Sequence, residues 1–282
     1  MMIIFCEILL VLCFLVAGKW LQDLLTTFDD DHELFTNDNP CLGIAKAGYY
    51  LAIAVACRAL FLGQGQGGWL EVRDFAVYGI AILFLLNCAT FTIDKVILRN
   101  IKIYDEICNK RNESVAWALF GGYVSSAFVI QGAMSGDDVE LGQSLCEVGL
   151  YFVLGQVILM AGAHIFFRLH RQQLEAFRDN NASAGLSFAG FLVASGYVIG
   201  GLNHGTLHLN WGDIAFFMLS SAGAMALILG ARIAVFRYLF AWRVSLHREI
   251  YEDRNSAAGW IMGLGSLGFA QLALSAYLAY MG

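Results

Sequence analysis

Eight stretches of largely apolar residues follow one another along the 282-residue chain with little between them: 3–25, 41–62, 69–99, 114–133, 139–170, 182–202, 211–242 and 257–280. A helix of about 20 apolar residues is what crosses the hydrocarbon core of a bilayer. The pattern therefore points to one fold class, an all-α membrane protein with eight transmembrane helices. Composition agrees. The chain is 59% hydrophobic and 14% charged, with a mean hydropathy of +0.63, against about 45 to 50% apolar residues in soluble domains. No connection is long enough to fold alone, so any chemistry sits within the bundle or comes from a partner. The first stretch lacks a basic leader and carries Glu7 inside its apolar run, which reads as a retained span and not a cleaved signal peptide.

The chain repeats itself. Four asparagines, Asn39, Asn112, Asn181 and Asn255, each close a charged connection and open a Gly-rich helix, at separations of 73, 69 and 74 residues. The fourth residue after each is small (Gly43, Ala116, Gly185, Gly259). The ninth is Gly48, Gly121 and Gly190 in three cases and Leu264, between Gly263 and Gly265, in the last. A longer period relates the halves: Phe5-Cys6-Glu7-Ile8 resembles Leu145-Cys146-Glu147-Val148, and Trp69 matches Trp211. The expected architecture is four parallel helical-hairpin repeats grouped as two tandem four-helix units, residues 1–138 and 139–282. Because each hairpin holds two spans, all copies point the same way and are expected about an axis along the membrane normal. The even-numbered helices, rich in small residues that let backbones approach, are expected innermost.

Lys and Arg crowd the Asn-bearing connections (Arg99, Lys102, Lys110, Arg111, Arg168, Arg171, Arg178, Arg237, Arg243, Arg248, Arg254), whereas the other side offers Arg58 and Arg73. The positive-inside rule then places the Asn side in the cytoplasm and both termini outside. The basic residues form no groove-length stripe, so nucleic acid is not an expected partner. Seven cysteines without CxxC spacing read as small packing residues, giving no metal site and no disulfide framework. HExxH, GxSxG and phosphate-cradling Gly-Lys-Ser/Thr motifs are missing, and 63–68 reads as a flexible Gly-rich turn. No cofactor is implied and no enzyme is indicated.

Segments 180–190 (Asn-Asn-Ala-Ser-Ala-Gly-Leu-Ser-Phe-Ala-Gly) and 255–263 (Asn-Ser-Ala-Ala-Gly-Trp-Ile-Met-Gly), with Gly230-Ala231-Arg232 ahead of the latter, resemble the YjfL-type bacterial inner-membrane family, also called domain of unknown function 350. The resemblance covers the second half clearly. The first half is more diverged: Pro40-Cys41-Leu42 and Glu113-Ser114-Val115 stand where the family has small residues. It implies a multi-pass bacterial inner-membrane protein, associated with envelope stress, without an established activity.

Intramembrane carboxylates are by default functional. Glu7 and Glu147 occupy equivalent positions near the outer ends of odd helices, and Asp74 and Asp213 follow the two tryptophans. Set at one level, these four would make a ring for cations or protons; otherwise they are solvated or pair with Arg58 and Arg73. The four asparagines are read as helix N-caps, or alternatively as a cytoplasmic vestibule. Lys46 breaks the fourfold pattern, where other repeats carry Leu119, Phe188 and Met262, and is expected to snorkel to the surface. His164 and Arg232 are candidates to pair with Asp94, and His204 and His208 fall in an outer loop. Two functions follow. The first is a non-enzymatic membrane-stress or membrane-assembly component that contacts the bilayer and either itself or another envelope protein through its cytoplasmic helix ends. The alternative is a small cation or proton channel or transporter.

Overall fold

The structure is a computed structural model that describes residues 2–26, 29–62, 68–99, 101–134, 141–203, 209–239 and 245–281, with the side chains of 235–239 and Met281 left aside. The turn at 63–67, His204, His208 and Arg243 lie outside the described residues. Among the described residues, ten α-helices run in the order α1 (Met2–Leu25), α2 (Pro40–Leu62), α3 (Gly68–Thr92), α4 (Glu113–Ala133), α5 (Leu141–Leu169), α6 (Gln173–Arg178), α7 (Ala182–Leu202), α8 (Trp211–Leu239), α9 (Leu246–Tyr251) and α10 (Ser256–Met281). Eight are long and apolar enough to cross a membrane; α6 and α9 are single-turn elements in the connections. Of three π-type turns among the described residues, His32–Thr36 and Asp105–Asn109 stand at the equivalent places in the first two hairpins, and Ile93–Ile97 continues α3. No strand occurs among the described residues.

The helices form two layers. The inner layer is α2, α4, α7 and α10, each packed extensively on the next; the outer layer is α1, α3, α5 and α8, in the same order. The inner row is open: α2 and α10, at its two ends, are not packed against each other, while it curves enough for Trp117 of α4 to meet Trp260 of α10 with ring centroids 5.3 Å apart. The even helices are innermost. Lipid tails are as apolar as leucine, so such helices associate through close packing and hydrogen bonds. Glycine supplies the approach here: a Cβ at Gly48 would lie 2.6 Å from Phe120 Cα, and one at Gly121 would lie 2.5 Å from Ala189 Cα. Gly190 meets the backbone of Gly263 in the same way. Gly185 and Gly259 face the preceding hairpin, against Ser114 and Ser183, whereas Gly43, in the first hairpin, has only Leu34 within 4 Å.

Asparagine sets each junction. Oδ1 of Asn39, Asn112, Asn181 and Asn255 accepts from backbone N–H groups of Leu42, Val115, Ala184 and Ala257 respectively, starting the inner helix of its own hairpin. Nδ2 of the first three donates forward to the next hairpin, to Ile107 O (3.0 Å), Phe177 O (2.6 Å) and Ile250 O (2.8 Å). Asn255, in the last described hairpin, donates to its own Glu249 at 2.8 Å, as Asn112 does to Glu106. The residue before each asparagine, Asp38, Arg111, Asn180 and Arg254, has φ between 47° and 53°. That left-handed turn aims its side chain backward. Arg111 donates to Asn37 O, Asn180 donates to Arg111 O while accepting from Glu113 N–H, and Arg254 donates to Asp179 O.

Candidate functional site

The most polar interior feature lies in the first two hairpins. Lys46 is about two turns inside α2, where burying a cation is costly unless it is paired. It is 6% exposed, forms an ion pair with Asp30 and donates to Gln22 Oε1 at 2.8 Å. It does not snorkel, as the sequence suggested, because the connection folds inward and brings Asp30, itself 3% exposed, to meet it. Asp30 lies beside Asp23, which is held by Lys19 at 2.9 Å; Lys19 also reaches Asp31 at 3.0 Å. Burial pushes the Asp30 carboxyl above the ordinary carboxylate range, against the pull of Lys46. Beside this network is a cavity of about 400 Å³ walled by Gln22, Lys46, Asn87, Thr90, Asp94 and Tyr123 among others. Asn87 Nδ2 donates to Tyr49 Oη and Leu83 O, leaving its buried Oδ1 without a partner. Such a chamber suits water or a small polar molecule. No cluster of three metal-binding side chains occurs among the described residues.

The other half carries a different buried cation. Arg232 of α8, 4% exposed, donates to Met262 O (3.2 Å), Ser266 Oγ (2.5 Å) and Ser187 Oγ (2.7 Å), and its guanidinium lies over the ring of Phe166 at 5.3 Å. Hydroxyls, a carbonyl and an aromatic face replace a carboxylate as its neighbours. Just beyond the membrane end of α5, His170 stacks near Tyr251, whose hydroxyl donates to Gln173 Oε1. Burial first, then the charge of Arg232, lowers the His170 pKa to about 4. Asp94 pairs with Lys95 at 2.6 Å and His164 is exposed, so neither His164 nor Arg232 meets Asp94; the helices carrying them stand elsewhere in the row.

At the opposite end the row separates the sequence-nominated acids. Glu7 of α1 and Glu147 of α5 are both buried, at 6% and 8% exposure. Glu7 lies within electrostatic range of Glu71 on α3. Gln143 donates to Glu147, and Tyr151 is close to both Glu147 and Asp213. The acids thus fall into one group in each half. Asp74 instead forms a surface pair with Arg73 at 2.7 Å. Glu71, not singled out from sequence, stands in its place; the Trp69 to Trp211 offset does align Glu71 with Asp213.

Tandem hairpins with a common asparagine clamp and a doubled larger unit define a class, the polytopic membrane proteins built by internal repetition. The chain belongs to the family described as Domain of Unknown Function (DUF350), whose model matches it twice, over residues 2–134 and 140–277. It is 24% identical over 256 residues to a UPF0719 transmembrane protein of Aquifex aeolicus (strain VF5), an alignment covering 89% of this chain and 91% of the relative. No solved structure matches it.

Proposed function

We propose that this protein is a non-enzymatic scaffold of the bacterial inner membrane, serving membrane assembly or the response to membrane stress, with the asparagine connections in the cytoplasm and both termini outside. Two four-helix units, 1–138 and 139–282, are its building blocks. One observation carries the reading: the inner helices stand in an open row closed by backbone-to-backbone glycine contacts, and the outer acids fall into two separate groups. A permeation path needs polar groups arranged along a common route. A row instead offers two long lateral surfaces to lipid and a line of cytoplasmic connections to itself or another envelope protein.

The second reading, a small cation or proton path, draws on the buried Glu7 with Glu71 at one end and the polar Lys46 cavity at the other, both in the first half. Cation and proton flux in proteoliposomes separates the two. The scaffold reading expects flux equal to empty liposomes across a range of pH and voltage. Flux above that level which collapses in a folded Glu7→Gln, Glu147→Gln double variant would replace it with a path.

A further inference from the structure

The internal junctions use the same positions in every hairpin, so the two ends of the row can be compared with what each junction requires. On the leading side of an inner helix, the contact residues are the fourth, eighth and fifteenth after the asparagine: Gly185, Ala189 and Gly196 of α7 lie on the α4 backbone. The same positions of α2 are Gly43, Ala47 and Ala54. Ala47 and Ala54 are exposed, and Gly43 is half-buried with no neighbouring hairpin behind it. On the trailing side, the contact residues are the ninth, thirteenth and twentieth: Gly121, Ser125 and Gly132 of α4 meet α7. The same positions of α10 are Leu264, Gly268 and Ser275, all exposed. Gly268, and Gly223 and Gly230 of the neighbouring α8, have nothing within 4 Å of a would-be Cβ.

We infer that the trailing end of one copy, α8 and α10, receives the leading end of a second copy, α1 and α2, continuing the row in the same membrane orientation. This inference rests on the scaffold reading and gives it a mode of assembly. Its warrant is continuity with the three junctions inside the chain, because each polar device of those junctions has an unused half at each end. Asn255 donates only within its own hairpin, while at the leading end the Leu34 carbonyl occupies the place that Ile107 and Ile250 hold as acceptors. Asp38, at φ 47°, shares the left-handed turn of Asn180, so a preceding copy would let its carboxylate accept from Ser256 N–H as Asn180 accepts from Glu113 N–H. Ser275 is exposed at the level of Arg58, itself exposed on α2, and Gln271, a polar side chain, is exposed one turn nearer the middle of α10. Exposed polar groups at that depth are expensive in lipid and favour a protein neighbour. A two-fold pairing of leading ends would instead set Arg58 against Arg58 and Asp38 against Asp38.

Leu264 distinguishes this junction from those within the chain. It stands where they have glycine, so copies meet at a wider spacing, with the leucine seated over the hollow at Gly43 and Ala47. The contact is heterologous, and repeated application gives an open row or a ring.

Photo-crosslinking of the full chain in its membrane tests this. With p-benzoylphenylalanine at position 264, or at position 51 on the opposite face should the first variant not fold, the expected result is a ladder of covalent dimers and higher multimers. The joined peptides should come from 40–62 and 256–281. Ala54→Trp on the leading face should abolish the ladder while leaving thermal unfolding of the single chain unchanged. Joined α10–α10 peptides, adducts to a different protein, monomer alone, or a ladder indifferent to Ala54→Trp would each overturn the inference. Failure of the scaffold reading is registered separately, as flux.

Discussion

Asn112 and Phe177 are 65 residues apart in sequence and joined by a 2.6 Å hydrogen bond from Nδ2 to the backbone carbonyl, while Oδ1 of the same asparagine accepts from Val115 N–H. One side chain therefore starts its own helix and clamps the next hairpin. Asn112→Ala removes a helix cap, about 1 kcal/mol, the forward bond to Phe177 O, about 1 kcal/mol, and the charge-assisted bond to buried Glu106, about 1.5 to 3 kcal/mol. Asn255→Ala loses its cap and a bond to half-buried Glu249 but no clamp. Chemical or thermal unfolding in detergent should show Asn112→Ala, and likewise Asn181→Ala, at least twice as destabilising as Asn255→Ala. Equal losses would mean the clamp contributes nothing.

Glycines at the junctions should respond by location and not by residue type. Gly121→Val places side-chain atoms where Ala189 Cα already is, and α4 cannot withdraw without opening the inner row. Loss of folded protein, or a shift of several degrees in Tm, is expected. Gly149→Ala in α5 meets open space and should be neutral or stabilising by up to about 1 kcal/mol, the helix-propensity difference between the two residues. Size-exclusion profiles and melting curves of the two variants side by side decide the matter.

How much of this was legible beforehand depended on whether the signal was local. Hydropathy runs report span length, and the recurring asparagine and glycine report the hairpin, so eight spans, the repeat and the inner placement of the even helices could be read directly. A row and a ring use the same repeat and differ only in which distant helices touch, which spacing does not encode. The left-handed residue before each asparagine left no trace because Asp38, Arg111, Asn180 and Arg254 share no side-chain chemistry. Lys46 departs from the snorkelling expectation because its partner comes from an acidic run that looks like an ordinary solvated connection, and only folding of that connection buries Asp30. Glu71 is the residue that the tryptophan offset aligns with Asp213; Asp74, three residues further along, pairs with its neighbour Arg73.

The Lys46–Asp30 pair should behave as a unit. Removing one member of a buried pair typically costs about 3 to 5 kcal/mol because the other charge is stranded, while replacing both with apolar groups is often close to neutral. Lys46→Met alone should therefore destabilise strongly. The Lys46→Met, Asp30→Leu double variant should recover most of the loss, since Leu119, Phe188 and Met262 already occupy the corresponding site of the other hairpins. A double-mutant cycle on unfolding free energy reads the coupling, and additive losses would show that the two charges do not stabilise each other.

His170 gives the fold a defined acid sensitivity. Its ordinary pKa of 6.5 is lowered to about 4 by burial and by the facing charges of Arg232 and His247. A base whose folded pKa is depressed binds a proton more readily when unfolded, so stability rises with pH between about 4 and 6.5 and is lost as pH falls through that window. Taking the proton uptake of the unfolded chain at 1.36 kcal/mol per pH unit, lowering pH from 7 to 5 should cost about 2 kcal/mol through this residue. Tyr251, packed beside His170, stays neutral throughout, since burial raises its pKa above the usual phenol range. His170→Gln keeps the size and polarity of the side chain without the titration. Its unfolding free energy, measured from pH 5 to 7, should be flatter than that of the unmodified protein by this amount; parallel curves would assign the acid sensitivity to other groups.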